Sequence, residues 1–387
     1  MKNFTYCNPV KIYFGEGQIE ALKDAVPKKA KILMTYGGGS IKANGVYDQV
    51  MSALQGYDVQ EFSGIEPNPS YETLMRAVVI VREQKIDFLL AVGGGSVIDG
   101  TKFIAAAAPY KGEPWDIVTS SASISKALPI GCVLTIPAAG SEMNCGAVIS
   151  KKETHDKLSF MHPLVYPQFS ILDPKTTYSL PPKQTANGIV DAFVHVTEQY
   201  LTYPVNSPLQ DRMAEGILLT LIEEAPKVFQ QPDDYDARAN IMWAATLALN
   251  DLIQMGVPTD WATHLLGHEL TAAFGIDHGE SLAIILPSLL HLEREPKREK
   301  LVQYARRVWG INASDEKECI DLAITKTRAF FESLGIKTRL SDFGVDELQI
   351  PRLIESLKRH GMTSLGERGS INLERSAMIF RDALFGA

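Results

Sequence analysis

The fold is decided at residues 87–102, where the sequence reads DFLLAVGGGSVIDGTK. The first half of this stretch is a continuous apolar run of strand length, which predicts a β-strand buried on both faces. Three glycines and a serine then form a turn, and helical periodicity follows. Strand, glycine turn and helix in this order are the repeating unit of a parallel sheet with helical crossovers.

The same order recurs on both sides of this stretch. Further strands are predicted at 31–36, 57–62, 130–137, 147–150 and 169–172. The strand at 31–36 also ends in a GGGS turn, at 37–40. A polar run within 112–126 predicts a surface loop. The first part of the chain is therefore expected to be an α/β domain.

The sequence pattern changes at Leu180-Pro181-Pro182. Beyond these prolines strand signals almost vanish, and apolar residues recur at helical spacing. A chain of 387 residues is also long for a single core. We therefore predict two domains: an α/β domain over 1–181 and an all-helical domain over 182–387.

Composition narrows the classes of partner. The chain is 45% hydrophobic and 22% charged, with a formal net charge of -8, which disfavours nucleic acid or an anionic membrane as partner. No apolar run reaches the length of a membrane span. The four cysteines are scattered without a CxxC pair, which favours reduced thiols and a cytoplasmic protein.

The two GGGS turns are candidate phosphate-binding sites, because glycines let the backbone approach a phosphate near a helix N-terminus. The second turn offers Gly94, Gly95 and Ser96, with Asp99 one helical turn further on. The first turn consists of Gly37, Gly38, Gly39 and Ser40 and has no carboxylate that would pair with a ribose 2′-hydroxyl, which favours NADP over NAD. The alternative is that both are plain structural turns.

A third polar turn follows the strand at 130–137. Its Thr135, Ser141 and Asn144 are of a type that can reach a diphosphate or a nicotinamide amide. Lys157 is a single cation that can bind ribose or phosphate. A lysine in such a segment is otherwise a solvated surface residue.

Histidines form a candidate metal site. Asp191 and His195 stand four residues apart on one predicted helix, as do His264 and His268 on another, and His278 follows. Carboxylate and imidazole donors suit Zn(II) or Fe(II). Spacing alone leaves open which histidines bind the metal. A metalloprotease helix is disfavoured, because Leu265 stands where that motif needs glutamate.

These stretches, with PAAGSE at 137–142, NGIVDAFVH at 187–195 and the segment from His264 to Gly279, resemble the iron-containing (group III) alcohol dehydrogenases. The similarity runs over essentially the whole chain and is strongest to the branch of NADPH-dependent butanol dehydrogenases and broad-range aldehyde reductases. It implies a dehydroquinate synthase-like architecture, in which residues 1–181 form a Rossmann-like NADP-binding domain and residues 182–387 an all-helical, metal-binding catalytic domain. The resemblance implies a cleft between the two domains. It also implies a metal-dependent, reversible hydride transfer between NADP(H) and small to medium-chain aliphatic alcohols and aldehydes.

The resemblance implies a role for individual residues. The implied ligands of one divalent metal, Fe(II) or Zn(II), are Asp191, His195, His264 and His278. His268 is left as a proton relay. The implied cofactor contacts are Gly37 to Ser40, Asn68, Gly94 to Ser96, Thr135, Asn144 and Lys157. A homodimer is also implied.

Two positions depart from the common family pattern. Ala139 stands where relatives commonly have threonine, and Gly38 stands where many NAD-using relatives carry an acid. Other functions stay open, namely an NAD-dependent polyol dehydrogenase of the glycerol type and a non-catalytic nucleotide or metal sensor. Dehydroquinate synthase, a further alternative, needs several basic residues near the histidines, and the sequence has no such group there.

Overall fold

A computed structural model describes residues 1–119 and 122–386 of the chain. Ser120 and Ser121, part of the predicted surface loop, lie outside the described residues. The strands are β1 (Lys11–Phe14), β2 (Lys31–Tyr36), β3 (Asp58–Phe62), β4 (Phe88–Gly94), β5 (Ile130–Ile136), β6 (Gly146–Lys151), β7 (Asp156–Met161), β8 (Phe169–Leu172), β9 (Ser364–Leu365) and β10 (Ile371–Asn372).

Helices of very different length accompany the strands. The α-helices are α1 (Leu22–Ala25), α2 (Ser40–Ala43), α3 (Val46–Ala53), α4 (Tyr71–Gln84), α5 (Gly95–Ala107), α6 (Trp115–Val118), α7 (Pro182–Tyr200), α8 (Pro208–Gln230), α9 (Tyr235–Ala248), α10 (Ala262–Phe274), α11 (His278–Leu292), α12 (Arg298–Arg307), α13 (Glu316–Ser333), α14 (Ile350–Arg359) and α15 (Leu373–Phe385). Short 3-10 helices lie at Gln18–Ala21, Ser141–Met143, Pro163–Val165, Pro174–Thr177, Leu340–Phe343 and Glu347–Gln349. No described helix combines the length and apolar character needed to cross a membrane.

Six strands form the main sheet, in the order β1-β8-β5-β4-β2-β3, and all neighbouring pairs are parallel. The predicted parallel α/β fold is confirmed. Every residue of β4 is buried, as its continuous apolar run predicts for a central strand covered on both faces. From β2 the chain passes outward to β3 and then returns to β4 on the other side of β2, so the strand order reverses between β2 and β4.

Two short pairings lie outside the main sheet. The predicted strand at 147–150 belongs to β6, which pairs with β7 as an antiparallel hairpin. Strand β7 was not predicted, and Lys157 lies on it opposite Ser150. In the C-terminal half, β9 and β10 form a two-stranded antiparallel pair, which departs from the all-helical prediction. Strands of two residues are too short to show a sequence period.

The chain contacts divide into two compact units, each built from separate segments. The sheet unit consists of Cys7–Leu180 and Asp233–Thr246, and the helical unit of Met1–Tyr6, Pro181–Pro232 and Leu247–Ala387. Most of α9 therefore groups with the sheet unit, where the Trp243 ring packs against Phe14 at 5.8 Å between centroids. The division into domains at residue 181 stays a prediction about independently folding parts.

Candidate functional site

One face of α7 carries three buried ionisable side chains. Asp191, His195 and Glu198 follow each other at intervals of four and three residues, so they lie on the same side of the helix. Pro182 stands at the start of α7, where its missing N–H costs no helical hydrogen bond. The helix thus delivers two predicted ligands and one further carboxylate to a single place.

The Asp191 carboxylate is the centre of this group. Its Oδ1 atom lies 3.3 Å from His195 Nδ1, 3.6 Å from His264 Nε2 and 3.6 Å from His278 Nε2. One potential ligand atom from each of Asp191, His195 and His264 lies within 4.8 Å of the others. The structure therefore brings together side chains from α7, α10 and α11 that are far apart in sequence.

Two buried nitrogen atoms show whether a cation fits this group of side chains. His195 Nδ1 and His264 Nε2 have no hydrogen-bond partner among the described residues. A buried polar atom without a partner is costly, about 1–3 kcal/mol. A divalent cation beside Asp191 would accept both lone pairs, and the mixed oxygen and nitrogen donors suit Fe(II) or Zn(II). The residues present fit the predicted metal.

Glu198 holds His264 in place, a role that the sequence analysis missed. One carboxylate oxygen accepts the backbone N–H groups of Thr263 at 2.6 Å and His264 at 3.3 Å. The other contacts His264 Nδ1. A carboxylate on Nδ1 fixes the imidazole tautomer and turns Nε2 toward the metal position. The available signal was an acid seven residues after Asp191.

Burial and charge act differently on the pKa values of His195 and His264. Burial lowers the pKa of His195 to about 4, so its imidazole is neutral and suited to ligation. Burial also acts to lower the pKa of His264, but the Glu198 and Asp191 carboxylates outweigh it and raise the value to about 9. Burial raises the pKa of Glu198. Without a metal, His264 beside Glu198 therefore keeps an extra proton on its imidazole, and a metal that binds Nε2 would have to displace that proton.

The helix junction between α10 and α11 presents His278. Helix α10 ends at Phe274 and is capped by Gly275, whose φ of 69° is a common conformation after a helix C-terminus. Helix α11 begins at His278. The buried ring of His268 has its centroid 5.3 Å from that of His278 and 6.3 Å from that of His264. The ligand roles and the proton-relay role of these residues stay predictions.

The glycine turns meet at one edge of the main sheet. Tyr36, the last residue of β2, pairs with Val92 of β4, and β4 pairs along its length with β5. The turns at 37–40 and 94–96 and the segment after Thr135 therefore lie side by side at the carboxyl ends of the strands. This edge includes the point where the strand order reverses, which is where open α/β sheets bind ligands.

Local packing explains differently why glycine occupies the two turns. A Cβ at Gly94 would lie 2.8 Å from the Ile136 side chain, so close packing alone requires glycine there. A Cβ at Gly38 or Gly39 would have no neighbour within 4 Å, so the first turn borders open space. Asn68 donates its backbone N–H to Ser96 Oγ at 3.3 Å, which joins the loop before α4 to the second turn. This edge has the space and backbone character that a dinucleotide needs.

Lys102 links two of the predicted cofactor residues, Ser141 and Asn144, and Ser141 in turn bonds to a third, Asp99. This fully buried lysine donates to Ser141 Oγ at 2.9 Å and to Asn144 Oδ1 at 3.0 Å. Ser141 Oγ donates to Asp99 Oδ1 at 2.6 Å. These contacts fix the third turn against α5. Whether Asp99, Ser141, Asn144 and the buried Lys157 also contact a cofactor stays a prediction.

The chain matches two family models. Residues 9–174 match the model described as iron-containing alcohol dehydrogenase, and residues 185–367 match the C-terminal model of the Fe-containing alcohol dehydrogenase family. The sequence is 59% identical to the NADPH-dependent aldehyde reductase YqhD of Escherichia coli K12, over 99% of this chain and 100% of that one. It is 44% identical to the probable NADH-dependent butanol dehydrogenase 1 of Bacillus subtilis, over 99% and 100%. The crystal structure of E. coli K-12 YqhD superposes with a TM-score of 0.98 at 58% identity, covering 99% of both chains.

Proposed function

Because this chain belongs to the iron-containing alcohol dehydrogenase family, we propose that it is an NADPH-dependent reductase of small to medium-chain aliphatic aldehydes that also oxidises the corresponding alcohols. The 59% identity to a relative named as an NADPH-dependent aldehyde reductase supports this choice. The relative at 44% identity is named a probable NADH-dependent butanol dehydrogenase, so family membership alone leaves the cofactor open.

The observation that carries the proposal is the group of buried nitrogens around Asp191 Oδ1. Asp191, His195, His264 and His278 would hold one Fe(II) or Zn(II) ion. When bound, the metal supplies Lewis acidity toward a carbonyl oxygen, and the nicotinamide cofactor supplies the hydride. Glu198 keeps His264 oriented, and the burial of Asp191, His195 and His264 limits the access of bulk water to the reacting groups.

His268 is the proposed proton relay. Its imidazole is buried beside the rings of His278 and His264, and an imidazole can hold or release a proton near neutral pH. Reduction of an aldehyde needs one proton on the oxygen as the alcohol forms. His268 would carry that proton, directly or through water, while the four proposed ligands stay deprotonated.

The cofactor would bind along the carboxyl edge of the main sheet. Gly37 to Ser40 and Asn68 would contact the adenosine part, and Gly94 to Ser96 the phosphates. Thr135, Asn144 and Lys157 are proposed to contact the nicotinamide half, with Asp99 and Ser141 supporting the third turn. The contacts of Asn68 with Ser96 and of Ser141 with Asp99 support this grouping.

Metal analysis combined with an activity panel tests the proposal. Protein purified aerobically and anaerobically is analysed for bound metal and assayed with NADPH and NADH on aldehydes from acetaldehyde to hexanal. We expect one metal ion per chain, NADPH oxidation with butyraldehyde, and loss of both in Asp191→Ala. Metal retained by Asp191→Ala would refute the site, and glycerol oxidation with NAD⁺ in place of aldehyde reduction would make the chain a polyol dehydrogenase.

We further propose a cytoplasmic homodimer. The support for the cytoplasm is that Cys7, Cys132 and Cys319 are free thiols, as expected in a reducing compartment. The support for the dimer is the family resemblance. Light scattering on the eluted protein tests the dimer through its molar mass.

A further inference from the structure

A fixed lysine lies beside the first glycine turn. Lys42 stands on α2, directly after the turn, and its backbone N–H donates to Gly39 O at 3.0 Å. Its Nζ atom lies 5.2 Å from the ring centroid of Tyr36 and 4.5 Å from that of Tyr47. Tyr36 is the last residue of β2, so the ammonium group lies at the carboxyl end of that strand.

Glu61 on β3 completes the arrangement. Its carboxylate accepts the hydroxyl groups of Tyr36 and Tyr47, each at 2.7 Å, and lies 3.2 Å from Lys42 Nζ. Partial burial acts to raise the pKa of Glu61, but the two tyrosines and Lys42 outweigh it and lower the value, so the carboxylate is ionised. Lys42, Tyr36, Tyr47 and Glu61 are called the lysine cage below.

The position of Glu61 matters for cofactor choice. In dinucleotide-binding folds an acid about 20 residues after the glycine turn pairs with the ribose 2′-hydroxyl of NAD, and a nearby cation accommodates the 2′-phosphate of NADP. Glu61 follows the first turn at about that separation, but three donors already occupy it. The group of the cage that remains for a ligand is the ammonium of Lys42, whose side chain is 49% exposed.

The rival explanation is an ordinary surface ion pair, which would contribute at most about 1 kcal/mol. Lys28, in the same sheet unit, is an example of such an ordinary surface ion pair. Its Nζ lies 3.9 Å from Asp24 and 6.0 Å from the Tyr57 ring, and its side chain is 73% exposed. Lys42 contacts two rings and a carboxylate that two tyrosines hold in turn. These contacts restrain the Lys42 side chain and fix the position of its charge, and a group that is held in place before binding loses less conformational entropy when a ligand binds.

We propose that Lys42 selects NADPH over NADH by binding the 2′-phosphate of the adenosine ribose, and that Tyr36, Tyr47 and Glu61 hold it in position. The inference rests on the proposed function and identifies the residue that decides its cofactor. With the 2′-phosphate bound, the Lys42 ammonium would lie between that phosphate and the Glu61 carboxylate, and it would offset the repulsion between these two negative groups. Gly38 leaves space for the phosphate, because no atom would lie within 4 Å of a Cβ there.

A binding experiment on the full chain tests the proposal without catalysis. Titration calorimetry compares adenosine 2′,5′-bisphosphate with adenosine 5′-monophosphate, which lacks the 2′-phosphate. We expect wild type to prefer the bisphosphate and Lys42→Met to lose about tenfold or more of that preference, as expected for a charge-assisted hydrogen bond. Lys42→Arg keeps most of the preference, and the control Lys28→Met keeps all of it. Unchanged monophosphate binding in Lys42→Met shows that the turn is still folded.

The inference is overturned if wild type does not distinguish the two probes, or if Lys42→Met distinguishes them as well as wild type does. The ratio of kcat/KM for NADPH to that for NADH, measured with butyraldehyde, gives a second readout and should fall in Lys42→Met alone. Failure of the proposed function is visible separately. In that case wild type reduces no aldehyde with either cofactor, while the calorimetric comparison still decides the role of Lys42.

Discussion

His264 and His268 stand one helical turn apart on α10, yet their ring nitrogens have different surroundings. His264 has a carboxylate at each nitrogen, Glu198 at Nδ1 and Asp191 at Nε2. His268 lies against the rings of its histidine neighbours. An imidazole between two carboxylates is suited to hold a cation, whereas one beside the group is suited to carry a proton.

Alanine substitutions separate these roles. His264→Ala should lose the bound metal, because it removes one of the buried donors. His268→Ala should keep one metal ion per chain and lose about 10²- to 10⁴-fold in kcat, the usual contribution of a general acid or base. Elemental analysis and steady-state kinetics on the same preparations measure both. His291→Ala, which removes a histidine paired with Asp382 on α15, is the control and should change neither. Metal loss in His268→Ala would make that residue a ligand.

A substitution at Glu198 tests whether this residue positions the His264 imidazole without contacting the metal itself. In Glu198→Gln, one of the two oxygens becomes an NH2 group, so either the Nδ1 proton of His264 or the backbone N–H groups of Thr263 and His264 lose their acceptor. The imidazole is then held less firmly. We expect metal affinity to fall about 10- to 100-fold, the usual effect of removing such an outer partner. Equilibrium competition with a chelator measures it. Glu215→Gln, which alters a buried carboxylate bonded to Tyr200, is the matched control. Equal affinities in wild type and Glu198→Gln would contradict the role.

At the scale of elements, the crossing of α7 and α11 sets the distance between the proposed ligands. A Cβ at Gly279 would lie 2.7 Å from Asn187 O and 2.8 Å from Asn187 Cα, so the two backbones touch there. Lys183 adds ion pairs to Asp277 at 2.8 Å and to Glu280 at 3.2 Å. The neighbouring His278 therefore takes its position from backbone packing rather than from its own side chain.

Gly279→Ala should disturb this crossing. The added methyl group would clash with the Asn187 backbone, which cannot move aside as a side chain can. We therefore expect a loss of about 1–3 kcal/mol in the free energy of unfolding, and weaker metal binding. Gly216→Ala on α8 is the control, because a Cβ there meets nothing within 4 Å, and it should gain up to about 1 kcal/mol from better helix propensity. Denaturant unfolding of the two variants gives the comparison. Equal stability of Gly279→Ala and wild type would show that the crossing can widen freely.

The elements that sequence predicts best are those whose pattern is local. The apolar run of β4 and the helical period of α7 are complete within their own segments, and both predictions are confirmed. Strand β7 was missed, because Asp156, Lys157 and Ser159 interrupt the apolar pattern of its sequence and the hairpin is defined only by pairing with β6. The same limit hid Glu198, Lys102 and Lys42. Each is a charged residue of a type that is usually exposed to solvent, and the residues that it contacts lie elsewhere in the chain.

At the scale of the whole molecule, the proposed ligands link distant parts of the helical unit. Asp191 and His195 come from α7, His264 from α10 and His278 from α11, a span of 88 residues from 191 to 278. All three helices belong to the segments of that unit. A cation held by them would connect parts of the chain that separate on unfolding, so metal binding and the stability of this unit are linked.

Removal of metal should therefore lower the thermal stability of the helical unit. A ligand that binds only the folded state stabilises it by about 2.7 kcal/mol when its free concentration is a hundred times Kd. Calorimetry on protein dialysed against chelator, and on the same protein resupplied with Fe(II) or Zn(II), should show a transition that rises with added metal. Unfolding of two units can give more than one transition, and only that of the helical unit should move. Asp191→Ala should melt at one temperature with and without metal, because the central donor is gone. A wild-type transition indifferent to metal would mean that the buried nitrogens around Asp191 hold no ion, and a metal response in Asp191→Ala would assign the ion to another place on the chain.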